Sequence, residues 1–363
     1  MIYDVFGFKY HKHKPRLNEI IKEIKSNRNI KLERKLPELE IFYDEPVRFH
    51  LLFKELEGGK HNSWKNVLTE FFKKYLPKYL DTLKQNKQFF DQFCRKGFVN
   101  NFFLKFFSFS VPFTSSFFTA SENKFYSIPN PIAKERPTGL PVLKGSSFKG
   151  GLRQAAVDMI ENELIAKNFL FSKYKDKDED EILEEEEKDK FYFKKRAEIV
   201  RLFGNEKGAV WFTYKSLIAT GGIRDVNKLN EVLNNITSAF ERYLKKQKII
   251  NSEGICRGRL IFQDVYFAQV ALEVITPLDR RKRIPLKGRA PIFYEVVPPQ
   301  KEVVEGTIIW FPFDLIAKGE TEKIEEEWQE DKKILGKAFD KLAQKGVGAK
   351  TAEGWGRFGW EAK

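Results

Sequence analysis

The sequence of 363 residues is poor in the side chains that hold metals, with two cysteines and four histidines. Cys94 and Cys256 are far apart and form no CxxC pair, which argues against a zinc site built from cysteines. All four histidines fall within the first 61 positions, and none has the spacing of a metal ligand pair. We therefore predict no metal site and no cofactor. The low cysteine count also indicates a reducing, cytoplasmic setting.

Long apolar runs are missing as well. No stretch of 18 apolar residues occurs, so no membrane-spanning helix is expected. The first residues, MIYDVFGFKYHKHKPR, lack the apolar run of a secretory signal peptide. These absences predict a protein without a membrane partner.

Positive charge, in contrast, is in excess. Lysine and arginine number 65 against 51 aspartates and glutamates, which gives a net charge of +14. Such an excess favours a polyanionic partner: RNA, DNA or an acidic membrane surface. A basic protein from a thermophile is the alternative, because lysine and glutamate are abundant while cysteine and methionine are rare.

The periodicity of apolar residues indicates both helices and strands. It predicts helices at residues 63–93, 151–168, 225–247 and 322–345 and strands at 102–111, within 257–275 and as a pair across 290–315. Residues 200–212 are predicted to form a turn and then a strand. This order of elements predicts an α+β fold with an antiparallel sheet.

An acidic block interrupts the basic sequence at about residues 170–198. Its core, SKYKDKDEDEILEEEEKDKFYFKKR, predicts a solvated surface helix or a mobile insertion. Such a block is a poor place for RNA and could contact a basic neighbour.

The stretch VLKGSSFKGGLRQAA, residues 142–156, has the features of a phosphate site at a helix start. A glycine permits a tight turn, either of two serines can cap the helix, and the first free N–H groups attract an anion. Lys149 and Arg153 are four residues apart and share a helical face. The candidate residues are Lys144, Gly145, Ser146, Ser147, Lys149 and Arg153. An ordinarily capped helix with surface cations remains the alternative.

Two further segments are rich in glycine or in cations. The segment GVGAKTAEGWGRF, residues 346–358, places Lys350, Thr351 and Arg357 on a loop that suits close approach of a phosphate backbone. Its glycines match G-x-G-x-x-G by chance, since no βαβ unit follows, and Ala349 replaces the glycine that a P-loop needs. We therefore expect no nucleotide cofactor there.

The segment PLDRRKRIPLKGRAP, residues 277–291, is the densest run of cations in the sequence. Strands predicted on both sides make it the loop of a long hairpin. A run of this kind is either a solvated loop or a polyanion contact, and we favour RNA. The residues proposed for that contact are Arg280, Arg281, Lys282 and Arg283.

Residues 130–153, 202–212, 276–298 and 346–358 together resemble the RAMP superfamily of CRISPR-associated proteins, in particular subunits of type III (Csm/Cmr) effector complexes. The resemblance implies an RRM-like, ferredoxin-like core with helical insertions over residues 101–363. Residues 1–100 would be a partly helical N-terminal extension. It also implies guide RNA, target RNA and other RAMP subunits as partners, with binding through the sugar–phosphate backbone.

One position departs from the catalytic members of that family. Their target-cleaving subunits carry an aspartate where this sequence has Pro129, and proline can neither bind a metal nor transfer a proton. The resemblance therefore predicts a non-catalytic RNA-binding subunit near an end of the complex. The alternative is a RAMP endoribonuclease that processes guide RNA or cleaves target RNA. No histidine lies in the matched region, and Glu122 or Glu135 would have to replace the aspartate.

Overall fold

The computed structural model of the protein describes residues 80–81, 83–85, 87–88, 104–110, 112–120, 130–135, 138–167, 171–189, 191–205, 212, 225–279, 282, 284, 291–299 and 304–362. Pro129, Arg280, Arg281, Arg283 and nearly all of the predicted N-terminal extension lie outside these ranges. The chain divides into two compact units. The smaller unit contains Ser116–Val142 and Tyr266–Pro298, and the larger contains Phe98–Ser115, Leu143–Val265 and Pro299–Lys363.

The described residues form short strands and long helices. The strands are β1 (Lys105–Ser110), β2 (Val142–Leu143), β3 (Leu260–Phe262), β4 (Val265–Tyr266), β5 (Ala271–Ile275), β6 (Ile292–Val296), β7 (Glu305–Trp310) and β8 (Glu361–Ala362). The helices are α1 (Gly145–Ala166), α2 (Glu179–Asp189), α3 (Tyr192–Phe203), α4 (Val226–Lys246), α5 (Phe313–Lys318) and α6 (Ile324–Lys345). This mixture, with antiparallel strand pairing, confirms the predicted α+β class.

The larger unit is built on a four-stranded antiparallel sheet with the order β3-β7-β1-β8. Alternation along β1 turns Phe107 and Phe109 to one face, where both are buried. On that face α1 contributes Phe148 and α6 contributes Phe339. The ring centroid of Phe109 lies 5.3 Å from that of Phe148 and 4.9 Å from that of Phe339. These aromatic contacts hold both helices on the sheet.

Helices α1 and α6 also pack closely against each other. A Cβ added to Gly151 would lie 3.3 Å from Cδ1 of Leu342, so the glycine lets the two helices approach. The apolar period predicted a helix over residues 151–168 and the serines a cap at Ser146 or Ser147, whereas the helix begins at Gly145.

Helix α3 replaces part of the turn and strand that were predicted over residues 200–212. Residues 200–203 continue this helix instead of forming a turn and a strand, and the helix ends at Gly204, whose φ is +72°. Gly204 is in close contact with Gly258, since a Cβ on Gly258 would lie 2.3 Å from the carbonyl carbon of Phe203. Only glycine at both positions lets the end of α3 pass the segment before β3.

The acidic block forms α2, which packs on the basic side of α4. Arg242 pairs with Glu179 and Asp180, and Lys246 pairs with Glu187 at 2.6 Å. Its one buried carboxylate, Glu186, accepts hydrogen bonds from the Tyr174 hydroxyl and from the backbone N–H of Phe193. The block is therefore a docked helix whose charges are largely balanced within the larger unit.

The smaller unit contains the antiparallel hairpin of β5 and β6, which confirms the predicted hairpin around residues 277–291. The predicted strand pair across 290–315 is wrong, because β6 pairs with β5 while β7 pairs with β1 and β3. The Asn130 side chain donates to the carbonyl of Phe293 at 2.9 Å. Lys134 and Glu295 form a buried ion pair at 2.6 Å. Residues 130–135 are thus fixed to β6.

Candidate nucleic-acid interface

The carboxylate of Asp264 lies at the start of α1. The N–H of Gly145 donates to Oδ1 of Asp264 at 2.7 Å, and Nζ of Lys144 lies 2.8 Å from Oδ2 of the same residue. The predicted serine cap is wrong, because the N-cap residue is Lys144 and no side chain of Ser146 or Ser147 caps the helix. The carboxylate of Asp264 therefore lies at the positive end of the helix, where a phosphate was predicted.

Gly145 has a packing role at this point. A Cβ there would lie 2.6 Å from the carbonyl oxygen of Phe262, so the helix start can lie against β3 only if this residue is glycine. The requirement explains the glycine without any ligand.

Lys149 and Arg153 lie one turn and two turns further along α1. Both are half-buried, and burial lowers the pKa of each side chain below its ordinary value. The positive charge of Arg153 further lowers the pKa of Lys149, and Arg196 on α3 does the same to Arg153. We call Lys149, Arg153 and Arg196 the cation cluster. Its members repel one another in a partly desolvated place.

No acidic side chain in the described part of the chain forms an ion pair with Lys149 or Arg153. Nζ of Lys149 lies 3.5 Å from the carbonyl oxygen of Leu260, a weak contact. Cys256 is the next group near Lys149, but burial and the charge of Asp314 raise the pKa of its thiol to about 11. The thiol is therefore neutral at pH 7 and does not balance the lysine.

A second pair of cations, Arg201 of α3 and Arg259 before β3, has the opposite surroundings. Arg259 is 1% exposed and contacts Asp314 at 2.6 Å, Glu327 at 2.6 Å and Asp331 at 3.0 Å. Arg201 of α3 lies 3.0 Å from Asp331. We call these five residues the paired cluster. Burial alone would lower the pKa of Arg259, but the hydrogen bond and charge of Asp314 raise it.

Neither Arg196 nor the paired cluster was predicted from the sequence. Arg196 lies at the edge of the acidic block, where its charge was outweighed by its neighbours. Arg259 lies in the segment 257–275, whose alternation predicts strands. That pattern gives no sign that the arginine before the first strand is buried. The partners of Arg259 are 55 to 72 residues away in sequence, so no local pattern could have indicated them.

The glycine-rich loop after α6 is an ordered structure. The N–H of Val347 donates to the carbonyl of Gly356 at 2.9 Å, and a Cβ on Gly356 would lie 1.9 Å from the carbonyl oxygen of Val347. Phe358 packs on Phe148 of α1, with ring centroids 6.5 Å apart. The loop is therefore held next to the first turn of α1.

The three residues predicted on this loop differ in their surroundings. Lys350 has a φ of +62° and pairs with Glu353 at 3.1 Å, so its charge is balanced. Thr351 begins the short 3-10 turn Thr351–Glu353. Arg357 is exposed, and its N–H donates to the hydroxyl of Ser115 at 2.9 Å. Of these three, Arg357 presents its charge to solvent.

The basic loop of the smaller unit contains a closed turn. The N–H of Asp279 donates to the carbonyl of Ile284 at 2.9 Å, and its Oδ1 accepts from the N–H of Lys282 at 2.8 Å. Lys282 is exposed. Arg280, Arg281 and Arg283 lie outside the described residues.

Two other features bear on the chemistry. The described residues contain no group of three or more histidine, cysteine, aspartate or glutamate side chains arranged to hold a metal ion. Within the described ranges, none of the helices combines the length and the hydrophobicity that crossing a bilayer needs.

Residues 110–359 match the sequence profile of the RAMP superfamily. Because the match covers more than half of the chain, the protein belongs to the RAMP superfamily. No curated protein sequence matches the chain at a significant level.

Three solved structures show a distant similarity to the chain. One is a chain of a type III-B Cmr-beta complex bound to cognate target RNA, with 14% identity, a TM-score of 0.41 and 96% of each chain covered. Another belongs to a CRISPR RNA-guided surveillance complex in a pre-nicking state, with 10% identity, a TM-score of 0.35 and 70% of this chain and 73% of that chain covered. The third is Cmr6 from Pyrococcus furiosus, with 15% identity, a TM-score of 0.27 and 72% of this chain and 98% of that chain covered.

Proposed function

We propose that this protein is a non-catalytic, RNA-binding subunit of a type III CRISPR effector complex, which holds guide RNA and contributes to recognition of target RNA. Membership of the RAMP superfamily supports the class of protein. The resemblance of the segments at 130–153, 276–298 and 346–358 to type III subunits supports the kind of complex. Other RAMP subunits are its proposed protein partners.

The core of such a subunit would be RRM-like. In the larger unit, β1, α1, β3, β7, α6 and β8 follow one another as strand, helix, strand, strand, helix and strand. The sheet order β3-β7-β1-β8 brings the first and third of these strands to the centre. This arrangement agrees with a ferredoxin-like core. The helices α2, α3 and α4 are then an insertion between α1 and β3.

The cation cluster is the observation that carries the proposal. Two half-buried cations, Lys149 and Arg153, lack an acidic partner among the described residues and repel a neighbouring arginine or one another. Holding charge in this way lowers the stability of the free protein, and a phosphate backbone would balance it. Contacts to phosphate suit a guide whose sequence must vary.

Exposed cations elsewhere would extend the contact. Arg357 and Lys282 present their charges to solvent. The basic turn that contains Lys282, with Arg280, Arg281 and Arg283 in its sequence, would contact the guide or the guide–target duplex. Lys350 and Lys144 would contribute less, since each pairs with a carboxylate.

The proposal that the subunit does not cleave RNA rests on Pro129, which takes the place of the catalytic aspartate of related subunits. Incubation of the purified protein with repeat RNA, with and without divalent metal, tests this part. We expect no specific product. A specific cleavage product would identify an endoribonuclease instead.

RNA binding is tested by titrating a labelled single-stranded RNA at two salt concentrations. Replacing Lys149 and Arg153 together by alanine should weaken binding at least tenfold, because each charged hydrogen bond contributes about 1.5–3 kcal/mol. The slope of log K against log salt should fall by about 0.7 for each lost phosphate contact.

The matched control removes two cations that are already paired, one directly after α1 and one in the last turn of α6. Lys167 pairs with Glu163, and Lys345 pairs with Asp158 at 3.0 Å. Their double alanine variant lowers the net charge equally and should leave the salt slope nearly unchanged. Equal losses of affinity in the two double variants would mean that only net charge matters and that the site is wrong.

A further inference from the structure

An exposed arginine and two phenylalanines form a stack on the surface of the larger unit. Arg257 is exposed, and its guanidinium carbon lies 4.1 Å from the ring centroid of Phe313. The ring of Phe313 packs in turn on Phe311, with the two centroids 4.2 Å apart and the ring planes at 67°. We call Arg257, Phe313 and Phe311 the aromatic stack. None of these three residues belongs to the interface proposed above.

The two sides of the aromatic stack are held together by short hydrogen bonds. Arg259 follows Arg257 by two residues, and it donates to both carboxylate oxygens of Asp314 at 2.7 and 2.6 Å. Asp314 directly follows Phe313. The N–H of Phe311 also donates to the carbonyl of Arg259 at 2.7 Å. The fold therefore fixes the stack before any ligand binds, which lowers the entropy that a ligand must lose there.

The charge of Arg257 is not balanced within the part of the chain that the structure describes. Its side chain forms no ion pair and no hydrogen bond with a described residue, and its contact is with the ring of Phe313. The guanidinium covers that ring while its own outer side faces solvent. A guanidinium group is planar and weakly hydrated, so its open side suits another flat π system.

We propose that the aromatic stack binds an unpaired nucleobase of the RNA, with the base lying on the guanidinium of Arg257. This inference rests on the proposed RNA-binding function, and it adds a base contact to the phosphate contacts of Lys149 and Arg153. Bases in single-stranded RNA stack on aromatic rings and on arginine planes. Such stacking accepts every base, so it suits a guide whose sequence must vary.

The aromatic stack lies in the same segment of chain that Lys149 contacts. Nζ of Lys149 is 3.5 Å from the carbonyl oxygen of Leu260, which is three residues after Arg257. Three residues of fully extended chain span at most about 11 Å. One short segment of RNA can therefore contact both the cation cluster and the stack.

The decisive experiment separates stacking from charge. A labelled single-stranded RNA of mixed sequence is titrated against the wild type, Arg257→Ala and Arg257→Lys. Both variants should weaken binding by about fivefold or more, because lysine keeps the charge but has no plane on which a base can stack. Full recovery of affinity with Arg257→Lys would identify a contact to phosphate alone and would overturn the proposal.

Lys248 provides a matched control for the removal of one charge. It is an exposed cation of the larger unit, and its side chain forms no ion pair with a described residue. Lys248→Ala should leave RNA affinity nearly unchanged. Equal losses with Lys248→Ala and Arg257→Ala would mean that only net charge matters, and the stack would then be wrong.

The aromatic partner is tested by Phe313→Leu. This change keeps an apolar side chain beneath Arg257 but removes the ring, so it should weaken RNA binding about as much as Arg257→Lys. Thermal unfolding checks that the variant is folded. If it is not, the Arg257 variants decide alone, since an exposed side chain can be changed without opening the core.

RNAs with a single abasic site locate the stacked base. At one position, loss of the base should weaken binding to the wild type and have little effect on binding to Arg257→Ala, because both changes remove the same contact. The proposal fails if no position of the RNA shows this coupling.

Failure of this inference and failure of the proposed function give different results. If RNA binds the wild type and the variants at Arg257 and Phe313 equally, the RNA-binding function stands and the stack serves only the fold. If the wild type binds no RNA, the proposed function is wrong and this inference falls with it.

Discussion

Helix α3 takes part in two groups of cations whose surroundings are opposite. The paired cluster surrounds Arg201 and Arg259 with three carboxylates, and Arg259 is buried to 1% exposure. The cation cluster holds Lys149 and Arg153 half-buried with no acidic partner among the described residues. Charge that is balanced inside the protein serves the fold, whereas charge that is left unbalanced is available to a ligand. Net charge alone cannot separate these two uses.

The largest expected effect comes from breaking the paired cluster. Asp331 is fully buried and accepts from Arg201, from Arg259 and from Nε1 of Trp310 at 2.9 Å. Asp331→Ala would leave buried cations short of a counter-charge, so it should lower the free energy of unfolding by about 3 kcal/mol. Denaturant titration measures this change. Glu330→Ala, at an exposed neighbouring position, is the control, and a loss below 1 kcal/mol for Asp331→Ala would contradict the buried role.

The second largest loss of stability is expected at Gly258, beside the paired cluster. Gly258 precedes Arg259, whose N–H donates to the carbonyl of Arg201 at 3.1 Å. A Cβ on Gly258 would lie 2.3 Å from the backbone of Phe203, so Gly258→Ala should destabilise the protein by about 2–3 kcal/mol. Gly150→Ala is the matched control. A Cβ at Gly150 meets nothing within 4 Å in a helix, so this change should stabilise the protein slightly.

Neutralising one charge of the cation cluster should raise the free energy of unfolding, whereas the two changes above lower it. Arg153→Gln removes a repelling charge, so it should stabilise the free protein by about 0.5–1 kcal/mol while it weakens RNA binding. Thermal unfolding at low salt and at high salt measures the gain, which should shrink as salt screens the repulsion. A clear loss of stability would show that Arg153 has a structural partner.

The smallest expected effect is a dependence of stability on pH. Burial, and then the charge of Arg153, lower the pKa of Lys149 in the folded protein. Between that lowered pKa and the ordinary lysine value of about 10.4, the unfolded chain binds more protons, so raising the pH increases stability. Lys149→Met lacks this contribution. The stability gained by Lys149→Met should therefore be largest near neutral pH and should decrease as the pH rises through that window.

Local patterns predicted the elements that depend on local sequence. The period of apolar residues predicted α4 and α6 nearly to their ends, and a strand was predicted over residues 102–111, where β1 lies. The spacing of Lys149 and Arg153 predicted that they share a face of α1. These inferences succeed because each depends on residues within one or two turns of chain.

The features that sequence could not give depend on distant partners. Lys144 meets Asp264, which is 120 positions away, and the same carboxylate accepts from the first N–H of α1. Gly204 ends α3 because Gly258 passes beside it. Arg196 joins Arg153 only because α3 packs on α1. In each case tertiary packing decides whether a charge or a glycine serves the fold or the ligand.

The most direct test of the central claim is a structure of the protein with guide RNA bound. The account predicts phosphate oxygens within hydrogen-bond distance of Nζ of Lys149 and of the Arg153 guanidinium group, with Asp264 still accepting from the first N–H of α1. A phosphate bound at that N–H in place of Asp264, with Lys149 and Arg153 free of RNA contacts, would contradict it.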